Sequence, residues 1–158
     1  MIGDPLMPMP GDDIALRLGA AALVGSLLGL NRELKHKPAG LRTLALVGLG
    51  ASVAAIASVE LGGGGPDSVS RIAQGVMTGI GFLGAGVILR RDSDQGITGL
   101  TTAASIWVTA VLGLACGLGQ WRLASVGVAF ALGILVVGAA VEGFLHRWVH
   151  RHSSASVP

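Results

Sequence analysis

Five long apolar stretches dominate the chain, and charged and turn-forming residues separate them. The stretches cover residues 14–30, 43–59, 72–89, 97–118 and 123–145. At about 1.5 Å per residue, helices of these lengths reach about 26–35 Å, enough to cross a bilayer about 30 Å thick. The pattern predicts an all-α membrane protein, a bundle of five transmembrane helices. Residues 1–13 are expected to form an external leader and residues 146–158 a cytoplasmic tail.

The composition favours a membrane protein over a soluble domain. Apolar residues make up 51% of the 158 residues and charged residues 13%, whereas about a quarter of the residues of a soluble domain are charged. The net charge is only +2 and no basic run resembles a nucleic-acid-binding arm, so we expect a lipid membrane and no nucleic acid as partner. Cys116 is the sole cysteine, which excludes an intrachain disulfide.

The distribution of the basic residues predicts the orientation. Eight of them lie in the first loop, the third loop and the C-terminal tail, and three lie on the other side. The positive-inside rule therefore places the N-terminus outside and the C-terminus in the cytoplasm. The first span contains a charged residue, Arg17, whose side chain must either reach the interface or face the bundle.

The third span is unusually rich in small residues. Stepped at about 100° per residue, its small side chains point to nearly every side of the helix. The pattern predicts that this span is the central helix of the bundle, with a packing hub formed by Gly75, Gly79, Gly81, Phe82, Gly84 and Gly86. The run from Gly79 to Gly84 also matches the spacing of a dinucleotide-binding loop, but it lies inside an apolar span, so we interpret it as packing.

The first loop carries the densest charge, in a cluster of Arg32, Glu33, Pro38, Gly40 and Arg42. One interpretation is a topology determinant with a proline turn. The other is a carboxylate held between two guanidinium groups at the cytoplasmic mouth of the bundle. The two interpretations are compatible.

Two further groups of residues are candidates for function. Glu60, Arg71 and Gln74 form a possible polar cluster at the external ends of the second and third spans, where reaching the interface is the simpler interpretation. The start of the fourth span offers hydroxyl groups that can cap free amides or bond to other helices. Its candidate residues are Gly99, Thr101, Thr102, Ala103, Ala104 and Trp107.

The chain offers little for metal binding or catalysis. Asp92 and Asp94 in the third loop are weak candidates for a hydrated Mg²⁺, and a solvated loop is the simpler interpretation. No nucleophile–base pair and no paired catalytic carboxylates lie within a span. We therefore expect neither an enzyme nor a cofactor.

Three segments resemble the MgtC/SapB family of bacterial inner-membrane proteins. They are LLGLNRELKHKPAGLRTLALVGLGAS, RIAQGVMTGIGFLGAGVILRR and GLTTAASIWVTAVLGLACGLGQW, and the likeness covers roughly residues 14–145 in order. The resemblance implies a five-helix membrane domain, a link to growth under magnesium limitation and, in pathogens, survival inside macrophages. It also implies regulation of the membrane sector of the F1Fo ATP synthase. The family's motifs fall on the three groups of residues named above for the first loop, the third span and the start of the fourth, and on Arg71 and Gln74.

Virulence-type members carry a soluble domain after the last span, whereas this chain ends thirteen residues after Leu145, so a virulence role is not assumed. We expect a non-enzymatic inner-membrane regulator, linked to magnesium homeostasis, that contacts another membrane protein and forms a homo-oligomer. The alternative is a small ion transporter or channel. Its polar path would be lined by Arg32, Glu33, Arg42, Glu60 and Arg71.

Overall fold

A computed structural model describes residues 9–63, 65–88 and 98–153, with side chains up to residue 138 and at 141. This part of the chain is helical and contains no strand. The helices are α1 (Gly11–Glu33), α2 (Leu41–Gly62), α3 (Pro66–Ile88), α4 (Leu100–Gly117) and α5 (Trp121–Ser153). All five are long and apolar enough to cross a membrane. The prediction of a five-helix all-α membrane protein is therefore confirmed, and the orientation of its termini stays a prediction.

The helix ends follow from local chemistry. Gly119, with φ of 69°, ends α4, and the two amides that follow the last turn bond back into it: Gly119 N to Cys116 O at 2.9 Å and Gln120 N to Ala115 O at 2.8 Å. This is the Schellman arrangement that satisfies free carbonyl groups at a helix end. Pro66 starts α3, where its missing N–H costs nothing. Helix α5 continues to Ser153, so residues 146–153 of the predicted tail are helical.

Helix α4 is the centre of the bundle, because it packs against each of the other four helices. In its membrane-crossing part 61% of the residues are buried, against 6% in α3. Helix α3 packs only on α2 and α4 in the described residues, and α5 only on α1 and α4. The prediction that the third span is the central helix is therefore wrong for the single chain.

Close contacts between α1, α2 and α4 depend on glycine. A Cβ atom on Gly29 would lie 2.5 Å from the Cα of Leu41, and one on Gly117 would lie 2.6 Å from the carbonyl oxygen of Ser52. A Cβ on Gly113 would collide with the Gly48 carbonyl. Backbones approach this closely in membranes only where small residues permit it.

The glycines of α3 behave differently. A Cβ atom on Gly75, Gly79, Gly81 or Gly86 would meet nothing within 4 Å, and Phe82 is 82% exposed. Only Gly84 is buried, facing Ala103 of α4. The reason is that α3 packs on its neighbours through a stripe of larger residues, which includes Ile72, Val76, Ile80 and Val87. Small residues permit close approach, but burial of larger apolar groups decides which face turns inward.

Candidate functional site: a buried arginine beside a basic cleft

Arg32 in the last turn of α1 is the most unusual polar residue of the bundle, because only 3% of it is exposed. Its guanidinium group donates to the hydroxyl of Thr102, to Ser105 Oγ at 3.0 Å and to the carbonyl oxygen of Pro38 at 3.2 Å. These acceptors are all neutral. A buried charge is costly unless hydrogen bonds replace its hydration, so the three acceptors are what make this position possible.

The loop between α1 and α2 shapes the Pro38 acceptor. His36 and Ala39 have positive φ angles of 51° and 57°, a conformation that residues other than glycine adopt rarely. The Lys37 amide bonds back to the Arg32 carbonyl at 3.0 Å, which turns the chain sharply after α1. The Pro38 carbonyl is thereby aimed at the guanidinium group of Arg32, which approaches it with both Nε and Nη2.

Glu33 has a role that differs from the predicted charge cluster. Its carboxylate accepts a hydrogen bond from the Leu41 amide at 2.9 Å, which satisfies a free donor at the start of α2. A Cβ atom on Gly40 would lie 2.9 Å from this carboxylate, so the glycine leaves the room that it needs. The predicted pairing of Glu33 with Arg32 and Arg42 is absent from the described residues. Adjacent residues on a helix point about 100° apart, and Arg42 lies exposed on α2.

The start of α4 supplies the other half of the Arg32 site. Thr102 and Ser105 are buried on the side that faces α1, and Ser105 Oγ also donates to the Thr101 carbonyl at 2.7 Å. Sequence reasoning selected Thr102 but missed Ser105. The sequence does contain a pattern that indicates Ser105, because hydroxyl residues at positions 102, 105 and 109 share one face of an otherwise apolar helix.

The remaining candidates at the start of α4 form no hydrogen bond with Arg32 in the described residues, although Gly99 and Thr101 line the cleft beside it. Gly99 precedes the helix with φ of 95°, and its carbonyl accepts the Ala103 amide at 2.9 Å. Ala103 packs toward Gly84 of α3. Thr101, Ala104 and Trp107 are exposed.

A cleft of about 810 Å³ lies beside Arg32. We call it the basic cleft. Its polar lining includes Asn31, Arg32, Lys35, Lys37, Thr98 and Thr102. Its apolar lining includes Val47, Phe82, Val87, Ile106, Ile134 and Leu135. Lys35 also reaches across to α5, where its Nζ donates to the Leu135 carbonyl at 2.8 Å.

The predicted external cluster is not joined by hydrogen bonds or ion pairs in the described residues. Glu60 accepts a hydrogen bond from the Met9 amide at 2.7 Å, and the Gln74 side chain donates to Ser70 at 3.3 Å. Arg71 is exposed. Asp92 and Asp94 lie outside the described residues, and the rest of the chain holds no group of three potential metal ligands where the structure describes it.

Arg17 faces the bundle, which is the second of the two arrangements expected for it in the first span. Its guanidinium group forms an ion pair with Asp13 at 2.8 Å and donates to the Gly117 carbonyl at 2.9 Å. A cation at the last carbonyl groups of α4 also complements the negative end of the helix dipole. Arg17 therefore fastens α1 to the C-terminal end of the central helix.

Comparison with known proteins decides the family. The model of the MgtC family matches residues 18–144. The chain belongs to the MgtC family. It is 41% identical over 129 residues to Protein SrpB of Synechococcus elongatus, covering 75% of this chain and 71% of the relative.

Other relatives extend the match to distant bacteria. Protein MgtC of Salmonella typhimurium is 45% identical over 127 residues, covering 79% of this chain and 53% of the relative. Protein SapB of Bacillus subtilis is 41% identical over 126 residues, covering 76% and 54% respectively. The chain thus spans about half the length of these two MgtC-family proteins. No solved structure matches it.

Proposed function

We propose that this MgtC-family protein is a non-enzymatic regulator of the bacterial inner membrane, and that it acts by receiving a transmembrane helix of another membrane protein. The observation that carries the proposal is an unfilled groove of about 540 Å³ between α2 and α3. We call it the α2–α3 groove. Its lining includes Leu46, Gly50, Val76, Gly79, Ile80 and Leu83.

The chemistry of the α2–α3 groove suits a helix. Gly50 and Gly79 lie on its two sides, and a Cβ atom on either would meet nothing within 4 Å. Small residues that face open space in a membrane let a second backbone approach closely, and van der Waals packing then drives association. The side chains around the two glycines are mostly apolar, as expected for contact with another span rather than with water.

The partner and the physiological setting are also part of the proposal. The family resemblance favours adaptation to low Mg²⁺ as the setting and the membrane sector of the F1Fo ATP synthase as the partner. A regulator needs a docking surface but no catalytic group, which agrees with the open groove.

The alternative transporter path finds less support. Of its five proposed residues, Arg32 lines the basic cleft and Arg42 lines the α2–α3 groove. Glu33 caps the start of α2. Glu60, near the end of α2, and Arg71, near the start of α3, are exposed at the other end of the bundle. Between these ends the described core is filled by apolar side chains such as Leu28, Leu44 and Ile106.

Photo-crosslinking in native membranes tests the docking surface. A photoreactive amino acid replaces Leu46, which is exposed in the groove, or Leu16, which is exposed on α1 outside it. We expect the probe at Leu46 to form a crosslink to an ATP synthase membrane subunit, and the probe at Leu16 to give none. Crosslinks at Leu46 to a second copy of the chain alone, or to no protein, would overturn the proposal.

A matched pair of variants links the groove to function. Gly79→Leu adds a side chain in the groove at a position where its Cβ atom meets nothing within 4 Å, whereas Gly133→Leu adds the same side chain at an equally open position on α5. We expect Gly79→Leu to abolish the Leu46 crosslink and to lower growth at limiting Mg²⁺, while Gly133→Leu leaves both unchanged. Equal growth of the two variants would contradict a regulatory role for the groove.

A further inference from the structure

The basic cleft carries a concentration of positive charge that the proposed docking surface does not use. Three cationic side chains line it, those of Arg32, Lys35 and Lys37, and none of its described lining residues is Asp or Glu. Arg32 is fixed at its base by hydrogen bonds to neutral groups, so those bonds leave the positive charge unneutralised. The charge of the cleft is therefore complementary to an anion.

The opposite wall of the cleft is apolar and open to the side. Phe82 and Leu83 of α3 line this part of the cleft together with Ile134 and Leu135 of α5. Helices α3 and α5 have no Cα atoms within 8 Å of each other in the described residues, so no helix contact closes the gap between them. Phe82 and Ile134 are strongly exposed, which makes the apolar wall continuous with the surface that faces lipid.

We infer that the basic cleft binds an anionic phospholipid, with the phosphate near Lys35 and Lys37 and an acyl chain lying between α3 and α5. A soluble anion would need the cations but not the apolar wall or the lateral opening. Basic pockets between transmembrane helices near a membrane surface are a known means of binding acidic lipid headgroups. A volume of about 810 Å³ holds a headgroup and the upper part of a chain, while the rest stays in the bilayer.

The three cations have different tasks in this site. Lys35 uses one of the three N–H donors of its ammonium group on the Leu135 carbonyl, and the other two remain for a phosphate. Lys37 is exposed at the rim and supplies a second mobile donor. Arg32 contributes a fixed charge from below. This site adjoins the α2–α3 groove and shares Thr43, Val47 and Leu83 with it. None of its three cations lines the groove, so the lysine variants test lipid binding independently of the proposed regulatory role.

Native mass spectrometry of the full chain in detergent provides the test. The protein is mixed with equal amounts of palmitoyl-oleoyl phosphatidylglycerol and phosphatidylcholine. We expect about tenfold more bound phosphatidylglycerol, because each cation near a phosphate strengthens binding severalfold. Lys35→Gln with Lys37→Gln should reduce the preference to less than about threefold. Arg122→Gln, which removes an exposed cation at the start of α5, is the matched control and should leave it unchanged.

Two further measurements distinguish a lipid from a soluble phosphate as the ligand of the basic cleft. Gly86 lines the cleft, and a Cβ atom there meets nothing within 4 Å. Gly86→Leu should therefore block the acyl chain and weaken phosphatidylglycerol binding without unfolding the protein, and glycerol 3-phosphate should not displace the lipid. Equal binding of the two lipids would overturn the inference, and so would an equal effect of Arg122→Gln and of the double lysine substitution. It would also be overturned if glycerol 3-phosphate displaced the lipid and Gly86→Leu left lipid binding unchanged.

Discussion

Arg32 is held in the bundle by geometry rather than by an opposite charge in the described residues. Its planar guanidinium group reaches a backbone carbonyl in the first loop and two hydroxyls at the start of α4. A lysine in its place has a single ammonium centre and cannot span these acceptors in one plane. Arg32 thus joins the end of α1, the first loop and the start of α4.

The contribution of one hydroxyl to this junction can be measured. Thr102→Val keeps the shape of the side chain but leaves a buried N–H of Arg32 without its acceptor, which costs about 1–3 kcal/mol. Thr101→Val is the matched control, because Thr101 is exposed and its hydroxyl has no such role. We expect unfolding titrations in SDS to show a lower free energy of unfolding for Thr102→Val and no change for Thr101→Val. Equal stability of the two variants would show that the bond to Thr102 contributes nothing.

At the scale of helices, glycine plays two opposite roles. In α1, α2 and α4 it permits contact between backbones, as at Gly29 and Gly117. In α3 it leaves a smooth, open surface, as at Gly79. The sequence shows where close approach is possible, but not which neighbour fills the space. That depends on the larger residues elsewhere on each helix, which is why the pattern misplaced the centre of the bundle.

A single added methyl group distinguishes the two roles. Gly113→Ala must displace the Gly48 backbone, so we expect it to lower the free energy of unfolding by more than about 2 kcal/mol. Gly79→Ala meets no atom and improves helix propensity, so we expect a gain of about 0.5–1 kcal/mol. Melting in detergent compares the two. A stable Gly113→Ala protein, or a destabilised Gly79→Ala protein, would reverse the assignment of α4 as the central helix.

At the scale of the whole molecule, hydropathy was sufficient to predict five membrane-crossing helices, because span length and apolar composition are local properties. The importance of the first loop and of Thr102 was also visible in the sequence. The partners of Arg32 were not, because Pro38 offers a backbone carbonyl and Ser105 lies 73 residues away in the chain. A charge-pairing rule assigned Arg32 to Glu33, whereas the fold uses that carboxylate to cap α2.

The positions of the charges also bear on the choice between regulator and transporter. The cations of the basic cleft repel Mg²⁺, and the described core between the two ends of the bundle is packed with apolar side chains. These features favour a docking protein over a conduit for divalent cations.

Ion flux into proteoliposomes tests this central claim most directly. The purified protein is reconstituted, and Mg²⁺ and proton gradients are imposed separately. We expect rates no higher than those of protein-free liposomes. Flux that rises with the amount of protein and is lost in Glu33→Gln would contradict it. Glutamine keeps an oxygen that can accept the Leu41 amide, so loss of flux in that variant would not reflect a lost helix cap.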